Sequence, residues 1–191
     1  NNWRKTYTEE NGNIRKYKAN RVYDPMLAEL RNALPLFKEL LDEHTALTVF
    51  SVSKMEADDV IAAFCQLEAN ENHQVTIISS DQDYIQLLKN ENVKLLNPIS
   101  GQYRNTPSDK KYVENIDYWL FLKLIRGDSG DNVQSAFPKV RETKLKEAFN
   151  DSFKMINLLN ETWKDGNGNV NIVKDKIEEK VGSIYEAIVI M

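Results

Sequence analysis

The stretch QVTIISSDQDYIQLLKNENVKLLNP, residues 74–98, decides the fold class. Its apolar, β-branched opening (74–79) reads as a strand, DYIQLLKN (83–90) as a short helix, and NVKLLNP (92–98) as a further strand. Upstream, KMEADDVIAAF (54–64) opens an amphipathic helix and ALTVFSV (46–52) reads as another strand. Strands that alternate with helices pair in parallel, so the expected fold is α/β, a parallel sheet flanked by helices.

Further out, Met26, Leu27, Leu30, Leu34, Phe37, Leu40 and Leu41 recur at the helical period, with Pro35 as a point of kinking or division. SGQY (100–103) reads as a turn, and IDYWLFLKLIRG (116–127) as a buried helix ended by Gly127. Residues 139–149 and 152–163 read as helices, 165–173 as a loop, and 174–191 as a last helical segment. DGNGNVNIVKDK, from Asp165, imitates a calcium loop, but Val170 stands where glycine is required and Lys176 where glutamate belongs, so it reads as a turn.

The 191 residues, 41% hydrophobic and 28% charged, suit one domain, or one core with an appendage, and no apolar run approaches the ~18 residues of a membrane span. Cys65 is the only cysteine, which excludes a disulfide framework and points to a reducing, cytoplasmic setting. His44 and His73 are far apart with no thiol near, so no zinc site is expected. With asparagine first, no leader, and an ending that breaks off within an apolar pattern, we read the chain as an excerpt of a longer protein. The net charge of −4 hides an asymmetry: Arg4, Lys5, Arg15, Lys16, Lys18 and Arg21 face only Glu9 and Glu10 within residues 1–23. A basic arm on an acidic body fits a polyanion held beside bound cations.

Three acidic groups stand at element junctions. Glu56, Asp58 and Asp59 crowd the start of the 54–64 helix, where Glu56 and Asp59 continue the stripe of Val60, Ala63, Phe64 and Leu67, a face expected to be buried. One acid there is accounted for by capping, Asp58 being a plausible cap, but three repel one another and call for a counter-charge. Asp81 and Asp83 follow the 74–79 strand, at the edge where open α/β sheets bind ligands, although either also suits a helix cap. Asp128 and Asp131, in GDSGDN, follow a helix C-terminus that disfavours anions, in a sequence that also suits an ordinary turn. Together the seven carboxylates suit hard divalent cations, which activate water for in-line attack on a phosphodiester.

MEADDVIA (55–62), IISSDQDYIQLL (77–88) and LKLIRGDSGDN (122–132) resemble the three downstream acidic motifs of the 5′-nuclease superfamily, which includes flap endonucleases and the 5′-nuclease domains of bacterial DNA polymerases. WRKTY (3–7) and YKANR (17–21) are similar to its basic segment leading into a helical arch. Within the superfamily the likeness is to the T-even bacteriophage RNase H type. The resemblance implies a PIN-like α/β core over 24–131, a basic segment at the base of the arch over 1–23, and a helical DNA-binding region over 132–191. It implies 5′→3′ exonuclease and flap endonuclease activity with RNA-primer removal, using two or more Mg²⁺ ions, with Mn²⁺ able to substitute. Glu56, Asp58, Asp59, Asp81, Asp83, Asp128 and Asp131 would serve the metals, and Arg4, Lys5, Tyr17, Lys18 and Arg21 the nucleic acid. Lys139, Arg141 and Lys144 would meet duplex backbone, although exposed lysines on a helix are more often solubilising. The implied substrate is a DNA or RNA/DNA duplex with a 5′ end or flap, the implied partners single-strand-binding protein or a sliding clamp, and the implied state a monomer off the membrane.

The chain departs from the family pattern at two places. The family has two further acidic ligands upstream of these motifs that this sequence does not contain, so either it is an excerpt or part of the metal site is lacking, and VQSAFPKVRETKLKEAF (133–149) has no glycines where relatives carry a glycine-rich helix-three-turn-helix. Two other readings stay open: a non-catalytic nucleic-acid-binding segment, and an aspartyl phosphotransferase, since TIISSDQDY loosely follows an apolar-strand-then-DxD pattern.

Overall fold

The computed structural model describes residues 3–10, 16–22, 24–107, 109, 112–137, 140–163, 184 and 188. Strand β1 (Val75–Ile78) pairs in parallel with β2 (Val93–Asn97), from Val75 opposite Val93 to Ile78 opposite Leu96. The crossover between them carries the expected helical segment as a 3₁₀ helix, Asp83–Lys89. The sheet is mixed rather than parallel, because β3 (Gln102–Tyr103) runs antiparallel to the end of β2. The SGQY turn is the cause: Gly101, at φ +66°, donates to the Asn97 carbonyl at 2.8 Å and folds the chain straight back.

The expected strand over 46–52 does not form. A strand persists by hydrogen bonding to a neighbour, and the sheet order β1-β2-β3 ends at β1. Leu47, Phe50 and Val52 stay exposed; Phe50 and Val52 line a groove of about 750 Å³ with β1 and helix α3 (Ala57–Asn70). Val60, Ala63, Phe64 and Leu67 also line this groove, Leu67 at 67% exposure, so the stripe expected to be buried is not. The face of α3 that enters the core is Ile61, Cys65 and Ala69, one turn apart.

Helix α1 (Trp3–Glu10) precedes α2 (Pro25–His44), which Asp24 caps by accepting the Met26 N–H at 2.9 Å and which runs unbroken past Pro35. None of the residues of α2 is buried. One core joins Cys65, Ile77, Tyr84, Ile85, Val93 and Leu95. A second joins Ile125, Phe137, Leu145, Ala148 and Leu158, drawn from α4 (Ile116–Arg126), α5 (Glu142–Asn150), α6 (Ser152–Trp163) and the approach to α5. Helix α4 serves both: Ile116 and Trp119 pack on the first core, Phe121, Leu122 and Ile125 on the second. Burying a side chain such as Ile85, Leu95 or Leu145 contributes roughly 1.5–3 kcal/mol, enough to hold the junctions between elements in fixed places. The 165–173 loop and nearly all of the last segment lie outside the described residues; Ile184 is helical and packs on the second core. Among the described residues no helix is long and apolar enough to cross a membrane.

Candidate active site

Glu56 is the N-cap of α3, with Asp58 and Asp59 in its first turn. The Glu56 N–H donates to Asp59 Oδ2 at 3.1 Å and the Asp59 N–H to Asp58 Oδ1 at 2.9 Å, so the acids do serve the helix terminus. Capping leaves most of their charge unanswered, and residues from the basic segment answer it. Arg4 grips Asp59 with a two-pronged fork, Nη1 to Oδ2 at 2.8 Å and Nη2 to Oδ1 at 2.7 Å. Tyr17 donates its hydroxyl to Glu56 Oε2 at 2.8 Å, and Lys18 Nζ donates to Glu56 Oε1 at 3.0 Å.

The GDSGDN turn follows α4. Gly127 adopts φ 67°, ψ −173° and donates to the Lys123 carbonyl at 2.9 Å. Asp128 Oδ1 then accepts the Gly130 N–H at 2.7 Å, a compact loop that holds Asp131 beside the basic segment. Lys18 N–H donates to the Asp131 carbonyl at 3.2 Å, Lys18 Nζ lies 3.8 Å from Asp131 Oδ1, and Arg21 Nη2 lies 3.4 Å from the same oxygen. Asn132 Nδ2 closes the contact on the Lys16 carbonyl at 3.0 Å.

In the SSDQD segment Asp81 Oδ1 accepts the Asp83 N–H at 2.9 Å. Asp83 pairs with Lys123, whose Nζ also lies 3.9 Å from Asp128 Oδ2. The three acidic groups are thus linked in pairs. Lys18 joins Glu56 to Asp131, Lys123 joins Asp83 to Asp128, and the Tyr84 phenol lies in the combined field of Asp58, Asp81 and Asp83. They do not close into one cage. Among the described residues, the group whose three ligand atoms lie within 4.8 Å of one another is Glu68, Glu71 and His73, at the other end of α3.

The protonation energetics divide the acids. Burial opposes the charge of Glu56, but Tyr17 and Lys18 outweigh it and hold its carboxyl below the usual range. The Arg4 hydrogen bonds hold Asp59 low as well. Asp58 and Asp131 are pushed up, chiefly by burial. Burial and the bond to Glu56 raise Tyr17, and burial with the nearby acids pushes Tyr84 up to about 12. Asp58 and Asp131 therefore carry their charge at a desolvation cost, which at Asp131 the nearby Lys18 and Arg21 offset only in part. Oxygen donors from three segments, with ammonium groups bridging pairs of them, suit a hard divalent cation.

The basic residues divide too. Lys18 and Arg21 sit at the acids with part of each side chain in solvent. Arg4 and Tyr17, expected at nucleic acid, are instead buried, at 7% and 6% exposure, with their polar atoms on Asp59 and Glu56; half-buried carboxylates draw the nearest donors inward. Lys5 is exposed on α1, 4.0 Å from Glu9. Arg141 and Lys144 are exposed at the start of α5, in the helical region, and Lys139 lies outside the described residues. Sequence reasoning missed Lys123. Its signal was position, one helical turn before GDSGDN on the face that ends at the loop.

A family model described as the 5′-3′ exonuclease, N-terminal resolvase-like domain, matches residues 3–116. The ribonuclease H of Enterobacteria phage T4 is 37% identical over 93 residues, 49% of this chain and 28% of that protein. A 5′-3′ exonuclease of Buchnera aphidicola is 33% identical over 129 residues, 66% of this chain and 43% of that protein. The chain thus spans less than half the length of either relative. Among solved structures, bacteriophage T5 5′-exonuclease with divalent zinc ions bound superposes with a TM-score of 0.61 at 17% identity, covering 97% of this chain and 65% of that one. The superposition shows a shared mixed α/β fold.

Proposed function

We propose a function from one premise: the chain belongs to the family of the 5′-3′ exonuclease N-terminal domain. It works as part of a metal-dependent 5′ nuclease of DNA replication, hydrolysing phosphodiesters at a 5′ end or flap and removing RNA primers. Mg²⁺ is the ion proposed, in two or more copies, with Mn²⁺ as a substitute. The chemistry such ions would supply when bound is activation of water and neutralisation of the leaving oxygen. Glu56, Asp58, Asp81, Asp83, Asp128 and Asp131 would hold them, directly or through water. Asp59, with both oxygens on Arg4, is left out of that set.

The chain's own residues do the rest. Lys18 and Arg21 neutralise acids in the metal-free protein and turn to the phosphates of the 5′ strand when substrate arrives, since both keep solvent access. Tyr17, buried against Glu56, fixes the backbone from which Lys18 projects. Arg141 and Lys144, with Lys139, would meet duplex backbone from the region 132–191, a contribution that weakens with salt.

The observation that carries this reading is the pairing of acids from separate segments through Lys18 and Lys123. In the intact protein, Asp81→Asn is expected to abolish cleavage of a 5′-flap substrate while binding to the same DNA persists. Near-normal cleavage refutes the assignment. A phospho-aspartate trapped on Asp81 selects phosphotransfer instead.

A further inference from the structure

We propose that Asp59 is not a metal ligand but the anchor of a latch, with Arg4, that mounts the basic segment on the metal-binding helix. The latch rests on the nuclease reading in naming α3 as that helix and Lys18 as a phosphate-binding residue. A carboxylate offers about four lone-pair sites, and four donors reach Asp59: Arg4 Nη2 at Oδ1, and Arg4 Nη1, the Glu56 N–H at 3.1 Å and Trp3 Nε1 at 3.4 Å at Oδ2. Oδ2 is saturated without an ion, and the site left on Oδ1 lies beside the Arg4 guanidinium, whose positive charge opposes a second cation there. Asp58, one residue earlier, accepts the Asp59 N–H on one oxygen, and among the described residues no cation grips it in a comparable way.

Arg4 is equally committed. Its side chain is 8% exposed, its guanidinium carbon lies 4.8 Å from the centre of the Trp3 ring, and Glu56 Oε2 is 3.6 Å away. Trp3 also donates its N–H to the Lys54 carbonyl at 3.0 Å, so the start of α1 is tied to the approach to α3 by backbone as well as by side chains. The tie continues to the phosphate-binding residues: buried Thr8, on the same helix, accepts the Tyr17 N–H at 3.0 Å, and Tyr17 precedes Lys18. Arg4 is thus a positioning residue that holds Lys18 over Glu56 and Asp131. Lys18, at 25% side-chain exposure, can exchange partners; Arg4 cannot without burying an unpaired carboxylate.

Two readouts on the intact protein separate the latch from a metal ligand: hydrogen exchange of the α1 amides without metal, and Mn²⁺ affinity by electron paramagnetic resonance. Asp59→Asn and Arg4→Gln should each speed α1 exchange about tenfold, and the double variant no further, because both remove one interaction. Asp59→Asn should leave Mn²⁺ affinity within about twofold, whereas Asp58→Asn should weaken it at least about tenfold. Should Arg4→Gln fail to fold, Arg4→Lys replaces it, with a smaller effect of the same sign because an ammonium cannot span both oxygens. Unchanged α1 exchange, or an Mn²⁺ loss in Asp59→Asn matching that of Asp58→Asn, overturns the proposal. Absence of Mn²⁺ binding by the wild type would count against the nuclease reading alone, and the exchange data would still decide the latch.

Discussion

Neighbouring acids at the mouth of α3 carry opposite energetics. Asp59 is held low by Arg4, so its stabilisation is fully present above the unfolded-state pKa of ~3.9 and is lost as pH falls through its lower folded-state value. Asp58 is raised by burial, so its charge destabilises the fold at neutral pH and the penalty lifts as pH falls through the raised value. Thermal melts of the metal-free protein at pH 7 should show Asp59→Asn destabilised, by roughly 1–2 kcal/mol for a partly exposed pair, and Asp58→Asn stabilised, with both differences shrinking toward pH 3. The same sign for both variants would refute this division. Lys123→Met, which removes the cation shared by Asp83 and Asp128, should cost about 0.5–1 kcal/mol without metal. Saturating Mg²⁺ should recover part of that loss; no recovery would mean that the ammonium does not occupy cation space. At this scale the sequence displayed the acids and Lys18, because clustered like charges are visible in one dimension. It concealed which cation answers which acid, since Arg4 and Asp59 are 55 residues apart.

Among the elements, the GDSGDN turn places its acids through backbone shape. Gly127 lies in a region of conformational space open essentially only to glycine, and a Cβ there would stand 2.6 Å from the Gln134 backbone and the Val133 carbonyl. Gly127→Ala should cost roughly 2–5 kcal/mol in denaturant unfolding, from strain plus overpacking; a loss under about 1 kcal/mol would show that the turn relaxes freely. This glycine was legible as a helix stop. The βαβ stretch and α2 were legible too from their apolar spacing, and α4 from its long apolar run, although of α4, expected to be buried, only Ile125 is fully so. The 46–52 segment misled because its composition favours a strand, while a strand also needs a partner edge that composition does not report. The buried face of α3 was misread for a related reason: two apolar stripes run along that helix, and the position of β1 and the 3₁₀ helix decides which is covered.

For the whole molecule, the two cores meet along α4, so packing on either side sets the distance between the SSDQD segment and the GDSGDN turn. That coupling is what would let acids from three segments act as one site, as proposed. The direct measurement is an Mn²⁺ titration, by electron paramagnetic resonance, of the intact protein and of Asp58→Asn, Asp81→Asn and Asp131→Asn, one variant for each segment. A shared site predicts saturable binding weakened at least about tenfold in all three. Wild-type affinity in the variants of any one segment would contradict it.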